Sequence, residues 1–352
     1  MGERVRVAVV GLGWPGLRHL EGYLKNPDAE VVALVDASAT PLAQAQRQYG
    51  VERGFASLEE LLDWDGCDAV SICTPNYLHA PMAIAALDAG KHVLCEKPLA
   101  TTVAEGARIV EKVRSGDRLF MMGFCRRYRE DSKAIKRLVE GGELGEVYYA
   151  RAGWLRREWN PAVRNWFLRK SQSGGGPLID LGVHMLDLAL WLMGNPQPVA
   201  VSGAVYDKLG PKLARGSEMD VEDMASAYVR LDTGATLTLE TSWVSFTEAR
   251  DHVFCQLLGT SGGAKIELGL RPEGEHAEVY TTRAGVPVTE RIFFGRTTEF
   301  TYSSFVNETA EFVAAIREGR EPTSTVEHGF KVLQILDAIY RSAEAGAEVS
   351  LT

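Results

Sequence analysis

The sequence predicts an α/β protein with two domains. An N-terminal domain, residues 1–124, is expected to hold a doubly wound parallel sheet, because apolar strands and helical segments alternate up to Phe124. A C-terminal α/β domain, residues 125–352, is expected to hold a large, open, mostly antiparallel sheet, because short strands succeed one another from Val199 to about Glu290. The length agrees with two domains, since 352 residues exceed what one hydrophobic core usually supports.

The first strand of the N-terminal domain leads into a glycine motif. Gly11, Gly13 and Gly16 have the spacing GxGxxG, after an apolar strand and before a helical pattern. Glycine here permits a tight turn, close approach of a pyrophosphate and close packing of helix on strand, and the helix N-terminus offers free N–H groups to phosphates. Although a glycine turn can occur without a ligand, this context predicts a Rossmann domain that binds a dinucleotide. The residues expected at the cofactor are Gly11, Leu12, Gly13, Trp14, Pro15 and Gly16.

The second strand, EVVALVD, ends in Asp36. A carboxylate at this strand end accepts hydrogen bonds from both ribose hydroxyls of NAD and repels the 2′-phosphate of NADP. Ala37 and Ser38 follow it, and neither is an arginine that could hold that phosphate. Asp36 and Ser38 are therefore predicted cofactor residues, and NAD is expected rather than NADP.

Further strand–helix units follow along the N-terminal domain. A helical segment over 40–50 ends at Gly50, and capping boxes at Ser57 and Thr102 begin two more helices. Strands are predicted in DAVSICTP, HVLCEKP and LFMMGF, with a helix over 77–89 between the first two. This alternation predicts that the strands run parallel to one another.

The strand HVLCEKP ends with a carboxylate and an ammonium group, Glu96 and Lys97, followed by Pro98. Strands usually end in Gly, Asn, Asp or Ser, which turn the chain at low cost. A solvated strand end is the plain alternative. Because ligands bind at the carboxyl ends of parallel strands, we expect Glu96 and Lys97 to face the cofactor crevice.

The C-terminal domain begins with a helix over 132–140 and the strand GEVYYARAGWL. A hairpin is predicted around Gly262 and Gly263, and closing helices over 303–317 and 329–345. The strand ATLTLETSWV alternates as in a half-covered sheet, whose other face would suit association of subunits. Its apolar side is expected to carry Leu237, Leu239, Thr241 and Trp243, and its polar side Thr236, Thr238 and Glu240.

The segment GGGPLIDLGVHMLDLALWLMG predicts a helix from Pro177 to Gly194, with three glycines as a mobile approach. Two stripes run along it at a spacing of three and four residues, one of them apolar. One interpretation of His184 is a buried histidine whose ring is hydrogen-bonded to neighbouring residues of the same helix. Gly182 favours a functional one, because glycine inside a helix costs about 1 kcal/mol relative to alanine and indicates close approach by another group. The second stripe consists of Asp180, His184, Asp187 and Trp191, of which the last two are expected to be structural.

Composition excludes several classes of function. The net charge of −9 and the pI near 5.4 oppose binding to nucleic acid or to an anionic membrane, since both require a basic surface. No apolar window approaches the length of a membrane span, and the N-terminus fails the pattern of a signal peptide. Five cysteines without CxxC spacing predict free thiols in a reducing cytoplasm, and neither disulfides nor a metal site.

The order of motifs along the chain resembles that of the glucose–fructose oxidoreductase / inositol dehydrogenase family, also called Gfo/Idh/MocA. These motifs are the glycine motif, Asp36, TPN, EKP and DLGVH. The resemblance extends over essentially the whole chain, including GF-RRY at 123–128 and VLQILDAIYRSAEAG near the end. It implies a cis peptide before Pro98 and a homodimer or homotetramer formed through the C-terminal sheet. It implies a catalytic set of Lys97, Asp180 and His184, and a nicotinamide side lined by Thr74, Pro75, Asn76, His79, Glu96 and Lys97.

The segment RREWNPAVRNWFLRKSQSGGG looks most like that of family members acting on pyranose sugars, anhydrosugars or glycosides, whose corresponding tryptophan is Trp166 here. Tryptophan faces stack well on pyranose rings, so Trp159, Asn160 and Trp166 are candidate sugar contacts. The same residues could instead cover the domain interface. Arg126 is a candidate cofactor contact and Tyr128 a candidate substrate contact, with a surface run as the alternative.

The implied reaction is oxidation of a secondary alcohol, which loses a proton from oxygen and a hydride from carbon. His184 is expected to take the proton, oriented by Asp180, while Lys97 stabilises the developing alkoxide; the roles of Lys97 and His184 could be exchanged. An NAD-dependent dehydrogenase of a sugar, sugar derivative or cyclitol is the leading hypothesis. The alternatives are an NAD-dependent glycosidase that uses transient oxidation and elimination, and a non-catalytic NAD-binding regulator.

Overall fold

Two compact units of contacting residues divide the chain. The first comprises Met1–Tyr128 and Tyr302–Phe330, and the second comprises Arg129–Thr301 and Lys331–Thr352. The computed structural model describes residues 3–160, 163, 165–213, 218–269, 276–293 and 297–351.

The first unit is built on a parallel sheet, with six strands in the described part of the chain. The strands are β1 (Val5–Val10), β2 (Ala29–Val35), β3 (Gly54–Phe55), β4 (Ala69–Ile72), β5 (His92–Glu96) and β6 (Phe120–Gly123). The helices between them are α1 (Trp14–Leu24), α2 (Ala39–Tyr49), α3 (Leu58–Trp64), α4 (His79–Asp88) and α5 (Val103–Ser115). The order across the sheet is β3-β2-β1-β4-β5-β6. Because the order reverses between β1 and β4, the carboxyl ends of these strands are where a doubly wound sheet binds its ligand.

Helix boundaries in the first unit follow the capping residues. The Ser57 side chain accepts a hydrogen bond from the N–H of Glu60 at 3.3 Å, and the Thr102 side chain accepts one from the N–H of Glu105 at 3.2 Å. Both predicted capping boxes are therefore confirmed as helix starts. Gly50 follows α2 with a φ of 72°, a left-handed conformation that glycine adopts without strain.

The second unit is built on a mixed sheet of nine described strands. They are β7 (Val147–Arg156), β8 (Pro198–Tyr206), β9 (Met224–Leu231), β10 (Thr236–Ser242), β11 (Asp251–Gly259), β12 (Gly263–Leu268), β13 (His276–Arg283), β14 (Val286–Phe293) and β15 (Val349–Ser350). The order is β14-β13-β12-β11-β7-β10-β9-β8-β15. The pair β7 and β10 is parallel and the other pairs are antiparallel, so the mostly antiparallel sheet is confirmed. The helices are α6 (Glu130–Glu140), α7 (Lys170–Ser173), α8 (Val183–Leu192) and α9 (Gly210–Leu213).

The two faces of this sheet differ along β10, as its alternation predicts. Leu237, Leu239 and Thr241 are buried, whereas Thr236 and Glu240 on the other side are half-buried. Helix α8 packs against β7, β10 and β11. The predicted hairpin is confirmed too, since β11 pairs with β12 in antiparallel register across the Gly262 turn.

The last two helices are α10 (Thr297–Glu318) and α11 (Val326–Ala345), close to the predicted segments. Phe312 and Val313 of α10 join the apolar core formed by β1 and α1. Tyr302–Phe330 therefore counts with the first unit, whereas the division drawn from the sequence at 124/125 assigned it to the second domain. No helix among the described residues combines the length and the apolar character that crossing a membrane requires.

Candidate active site

The glycine motif forms a tight loop between β1 and α1. Gly11 has a φ of 89°, and a Cβ atom added to it would lie 2.7 Å from the carbonyl oxygen of Cys73. A Cβ on Gly16 would lie 1.8 Å from the carbonyl oxygen of Gly11. Around Gly13 the space is open, because the nearest atom to such a Cβ, in Pro15, is 3.8 Å away. Two glycines thus close the turn and the third leaves its backbone accessible, which fits the pyrophosphate of a dinucleotide.

The start of α1 supports the same interpretation. Gly13 is its N-cap and supplies no side-chain hydrogen bond, and Pro15 occupies the first turn, where its missing N–H costs nothing. The remaining first-turn N–H groups and the positive end of the helix dipole suit a phosphate. Trp14 begins the helix and is 59% exposed, and its ring meets that of Phe305 edge-on with the centroids 5.4 Å apart.

Asp36 stands at the carboxyl end of β2, as predicted, and is half-buried. The N–H of Leu12 donates to its Oδ2 at 2.9 Å, and the N–H of Ser38 donates to its Oδ1 at 2.8 Å. The carboxylate therefore holds the glycine loop in place. Each oxygen keeps a further lone pair for a ribose hydroxyl.

The carboxyl end of β5 carries Glu96 and Lys97, and the Lys97–Pro98 peptide is cis, as the resemblance implied. Glu96 is buried and Lys97 is half-buried. The N–H of Lys97 donates to Oε2 of Glu96 at 3.1 Å, while Oε1 lies 3.2 Å from Nε2 of His19. Burial opposes ionisation of Glu96, but the hydrogen bond and charge of His19, together with Lys97, outweigh it, so the pKa of this carboxyl lies below its ordinary value.

The His79 side chain bridges the loops that follow β4 and β5. Its Nδ1 lies 2.7 Å from the carbonyl oxygen of Pro98, and its Nε2 lies 2.9 Å from that of Thr74. The side chain is fully buried, and this burial lowers its pKa. Its contacts are those of a residue that aligns the loops after β4 and β5. Asn76, in the short helical turn Asn76–Leu78, is also buried, whereas Thr74 and Pro75 are half-buried.

Sequence reasoning missed a buried cluster of His19, Glu96 and Glu308. His19 Nε2 lies 3.6 Å from Oε2 of Glu308, and its Nδ1 lies 2.7 Å from the Ser71 hydroxyl. One ligand atom from each of the three residues falls within 4.8 Å of the others, so among the described residues this group could hold a cation. The available signal was the position of His19 on the glycine-motif helix, three residues after Gly16.

In the second unit, the π-helical turn Leu178–Gly182 leads directly into α8. From Leu178 to Leu192 every residue is buried except Asp180 and His184, which are half-buried. The indole N–H of the fully buried Trp243 donates to Oδ2 of Asp180 at 2.9 Å. The predicted pair therefore forms the polar, accessible part of an otherwise buried helix, whereas Asp187 and Trp191 are buried, as expected of structural residues.

Two further contacts surround this pair. The ring of Trp154 lies 6.0 Å from that of His184, centroid to centroid. A Cβ atom on Gly182 would lie 3.3 Å from Cγ2 of Thr241, so the close approach expected at this glycine is confirmed. Trp243 was predicted only as a residue of the sheet's apolar face. Its contact with Asp180 depends on how the end of β10 packs against the helix.

The predicted sugar contacts are placed differently from one another. Trp159 is half-buried and meets Trp243 edge-on at 5.9 Å, next to the partner of Asp180. Trp166 is half-buried and stacks on Phe167 at 3.9 Å. The carbonyl oxygen of Asn160 accepts a hydrogen bond from the N–H of Val163 at 2.9 Å.

Tyr128 requires a correction. It was predicted to contact substrate, but 4% of it is exposed and its ring belongs to the apolar core of the first unit. Its hydroxyl is hydrogen-bonded within the core to the hydroxyl of Ser324, at 3.0 Å. Arg127 is likewise buried and donates to the carbonyl oxygen of Thr323 at 2.8 Å. Arg126 is half-exposed, and its predicted cofactor contact stays a prediction.

Comparison with known protein families agrees with this fold. Residues 5–124 match the NAD-binding Rossmann fold of an oxidoreductase family, and residues 136–351 match the C-terminal alpha/beta domain of the same family. The molecule is thus an NAD-binding oxidoreductase with a separate C-terminal α/β domain. It belongs to the Gfo/Idh/MocA oxidoreductase family, so the predicted family, fold and NAD cofactor are confirmed.

Individual relatives are similar over nearly their full length. D-glucoside 3-dehydrogenase of Escherichia coli (strain K12) is 30% identical over 360 residues, covering 99% of this chain and 97% of the relative. Levoglucosan dehydrogenase of Pseudarthrobacter phenanthrenivorans is 28% identical and covers 97% and 96%. A solved structure of levoglucosan dehydrogenase in complex with NADH and levoglucosan has a TM-score of 0.89 at 25% identity, covering 99% of this chain and 100% of that one.

Proposed function

We propose that this protein oxidises a secondary hydroxyl of a sugar, sugar derivative or cyclitol with NAD. The observation that carries the proposal is the pair Asp180 and His184, the accessible polar residues of an otherwise buried helix, with Trp243 fixing the carboxylate. The relatives named for dehydrogenation of glucoside and levoglucosan support the same class of substrate.

Three residues are proposed to be catalytic. The imidazole of His184 takes the hydroxyl proton at a ring nitrogen, because histidine is the side chain that ordinarily exchanges a proton near neutral pH. Asp180 orients that imidazole and stabilises its charge once it is protonated. The ammonium group of Lys97 donates a hydrogen bond to the oxygen as negative charge develops on it. NAD, when bound, supplies the hydride acceptor.

The aromatic side chains of the second unit suit a sugar substrate. Trp159 and Trp166 are both half-buried, so each presents part of an indole surface on which a pyranose ring could stack. Trp159 is the stronger candidate, because its neighbour Trp243 binds Asp180.

The test is NADH formation, followed by absorbance, over a panel of pyranoses, anhydrosugars, cyclitols and aryl glycosides. Net NADH from a sugar or cyclitol is the expected result. Release of the aglycone without net NADH would instead identify an NAD-dependent glycosidase. Thermal stabilisation by NAD without turnover of any panel member would identify a regulator, and either result would overturn the proposal.

Asp36 provides a prediction on cofactor choice. In Asp36→Ala the glycine loop loses the acceptor of the Leu12 N–H, and the ribose loses its predicted carboxylate. A hydrogen bond to a charged group contributes about 1.5–3 kcal/mol, so KM for NAD is expected to rise about 10- to 100-fold and the preference over NADP to shrink. Initial rates with both cofactors measure this. Asp63→Ala, an exposed carboxylate on α3, is the control, and an unchanged NAD preference in Asp36→Ala would contradict the prediction.

We also propose that subunits associate as a homodimer or homotetramer through the open face of the nine-stranded sheet, in the cytoplasm. Half-buried side chains such as Thr236 and Glu240, and the exposed Arg151, line this face. All five cysteines are free thiols, which supports a reducing compartment. Sedimentation velocity of the full chain tests the association, and a monomer at micromolar concentration would contradict it.

A further inference from the structure

The glycine run before the helix that carries Asp180 and His184 is packed closely. A Cβ atom on Gly175 would lie 1.8 Å from the hydroxyl oxygen of Tyr340, and one on Gly176 would lie 2.0 Å from the carbonyl oxygen of Glu222. Both glycines are buried. The mobile approach predicted from the sequence is therefore wrong at these two positions, which are glycine because Glu222 and Tyr340 occupy the adjacent space.

The side chain of Glu222 binds this segment directly. The N–H of Gly176 donates to its Oε2 at 2.9 Å, and the N–H of Leu178 donates to its Oε1 at 3.0 Å. Pro177, between them, has no N–H, so the carboxylate binds the donors on both sides of it. The Tyr340 hydroxyl donates to Oε1 as well, at 3.0 Å.

The contacts favour the ionised carboxylate. Three donors point at its two oxygens, and a protonated carboxyl would turn a hydrogen toward one of them. Burial raises the pKa of Glu222, while the N–H groups of Gly176 and Leu178 counteract that rise. A negative charge at this place also complements the positive end of the helix dipole.

The turn that Glu222 binds determines the positions of Asp180 and His184. Leu178 is two positions before Asp180 and six before His184, within one continuous helical segment. The Thr241 hydroxyl donates to the carbonyl oxygen of Pro177 at 3.0 Å, and Trp243 donates to Asp180. A shift of the first turn would move Asp180 against Trp243 and tilt His184 with it.

We propose that Glu222, supported by Tyr340, is a positioning residue for the oxidation. It fixes the first turn of the helix and, through that turn, the direction of Asp180 and His184. Because it is buried and its oxygens bind protein donors, it acts through those residues without touching substrate. The inference rests on the proposed function.

The experiment compares Glu222→Gln with Asp223→Asn in the full chain. Glutamine keeps the shape but offers one acceptor oxygen, so its amide group would oppose one of the two N–H donors. Asp223 is the matched control, a buried carboxylate that accepts from the N–H groups of Leu209 and Gly210 at 2.5 and 2.6 Å. The measurements are kcat, its pH profile, NADH affinity by fluorescence titration, and Tm.

Glu222→Gln is expected to lower kcat on the order of 10²-fold, since a displacement of about 1 Å at reacting groups has that effect. The acid limb of the pH profile is expected to move, while NADH affinity stays that of the wild type. Asp223→Asn is expected to lower Tm, while kcat and its pH profile stay those of the wild type. A folded Glu222→Gln protein with wild-type kcat and pH profile would overturn the proposal.

Tyr340→Phe keeps the inference testable if Glu222→Gln does not fold. It removes one donor to Oε1 and leaves both backbone contacts, so kcat is expected to fall severalfold with the same movement of the acid limb. A wild-type profile in Tyr340→Phe would count against the proposal. Failure of the proposed function is distinguishable, because the wild-type protein would then form no NADH from any sugar or cyclitol.

Discussion

Replacing Lys97 by methionine is expected to lower kcat for sugar oxidation by about 10²- to 10³-fold, the usual effect of removing one preorganised donor from a developing oxyanion. Methionine keeps most of the length of the side chain and removes the charge. Lys97 is half-buried at the carboxyl end of β5. Its backbone N–H donates to the Glu96 carboxylate, so the substitution leaves that contact intact. NADH affinity is expected to change far less than kcat.

Steady-state kinetics and fluorescence titration with NADH measure the two effects separately. Lys112→Met is the matched control, because this lysine pairs with Asp88 on the surface of the same unit. It is expected to behave as the wild type. A Lys97→Met protein that retains wild-type kcat would exclude Lys97 from the chemistry, and an equal loss of kcat in both variants would point to a general effect of removing charge.

The second large effect is expected at His184. His184→Asn removes the proposed base, so kcat should fall by about 10²- to 10⁴-fold, the usual contribution of general acid–base catalysis. The acid limb of the pH profile should disappear, because asparagine does not titrate in the range where histidine does. Cofactor affinity should persist, because the glycine loop and Asp36 that are predicted to bind NAD belong to the first unit.

The pH dependence of kcat between about pH 5 and 9 tests this directly. His252→Asn is the control, since His252 is a half-buried histidine of β11 in the same unit and lies 3.2 Å from Glu267. It is expected to keep both the rate and the acid limb. Persistence of the acid limb in His184→Asn would assign the proton to another group, and Lys97 would become the leading candidate base.

Much of the first unit could be predicted because its signals are local. The spacing of Gly11, Gly13 and Gly16 reflects steric requirements of one turn, and the structure shows two of these glycines closing it. The capping boxes at Ser57 and Thr102 act within three residues. In such cases the physical cause and the sequence pattern occupy the same short segment.

Side-chain placement was less predictable where burial decides it. Tyr128 is a residue type that often contacts ligands. In this protein it lies in the core, and its hydroxyl is hydrogen-bonded to that of Ser324, 196 positions away. The same limit applies to His19, whose partner Glu96 is 77 positions away. A pattern within one helix or strand carries no information about partners at that separation.

The sequence by itself determined the parallel and the mostly antiparallel sheets, the dinucleotide loop, the family and the helix that carries Asp180 and His184. These follow from periodicity, glycine spacing and strand ends, which are properties of neighbouring residues. Only the tertiary structure decided which side chains support them: Trp243 on Asp180, 63 positions apart, and Glu222 on the turn at Gly176, 46 positions apart. Trp243 follows β10 and Glu222 precedes β9, so both contacts arise where the chain beside a strand end meets the start of one helix. Such packing joins residues that no local pattern relates.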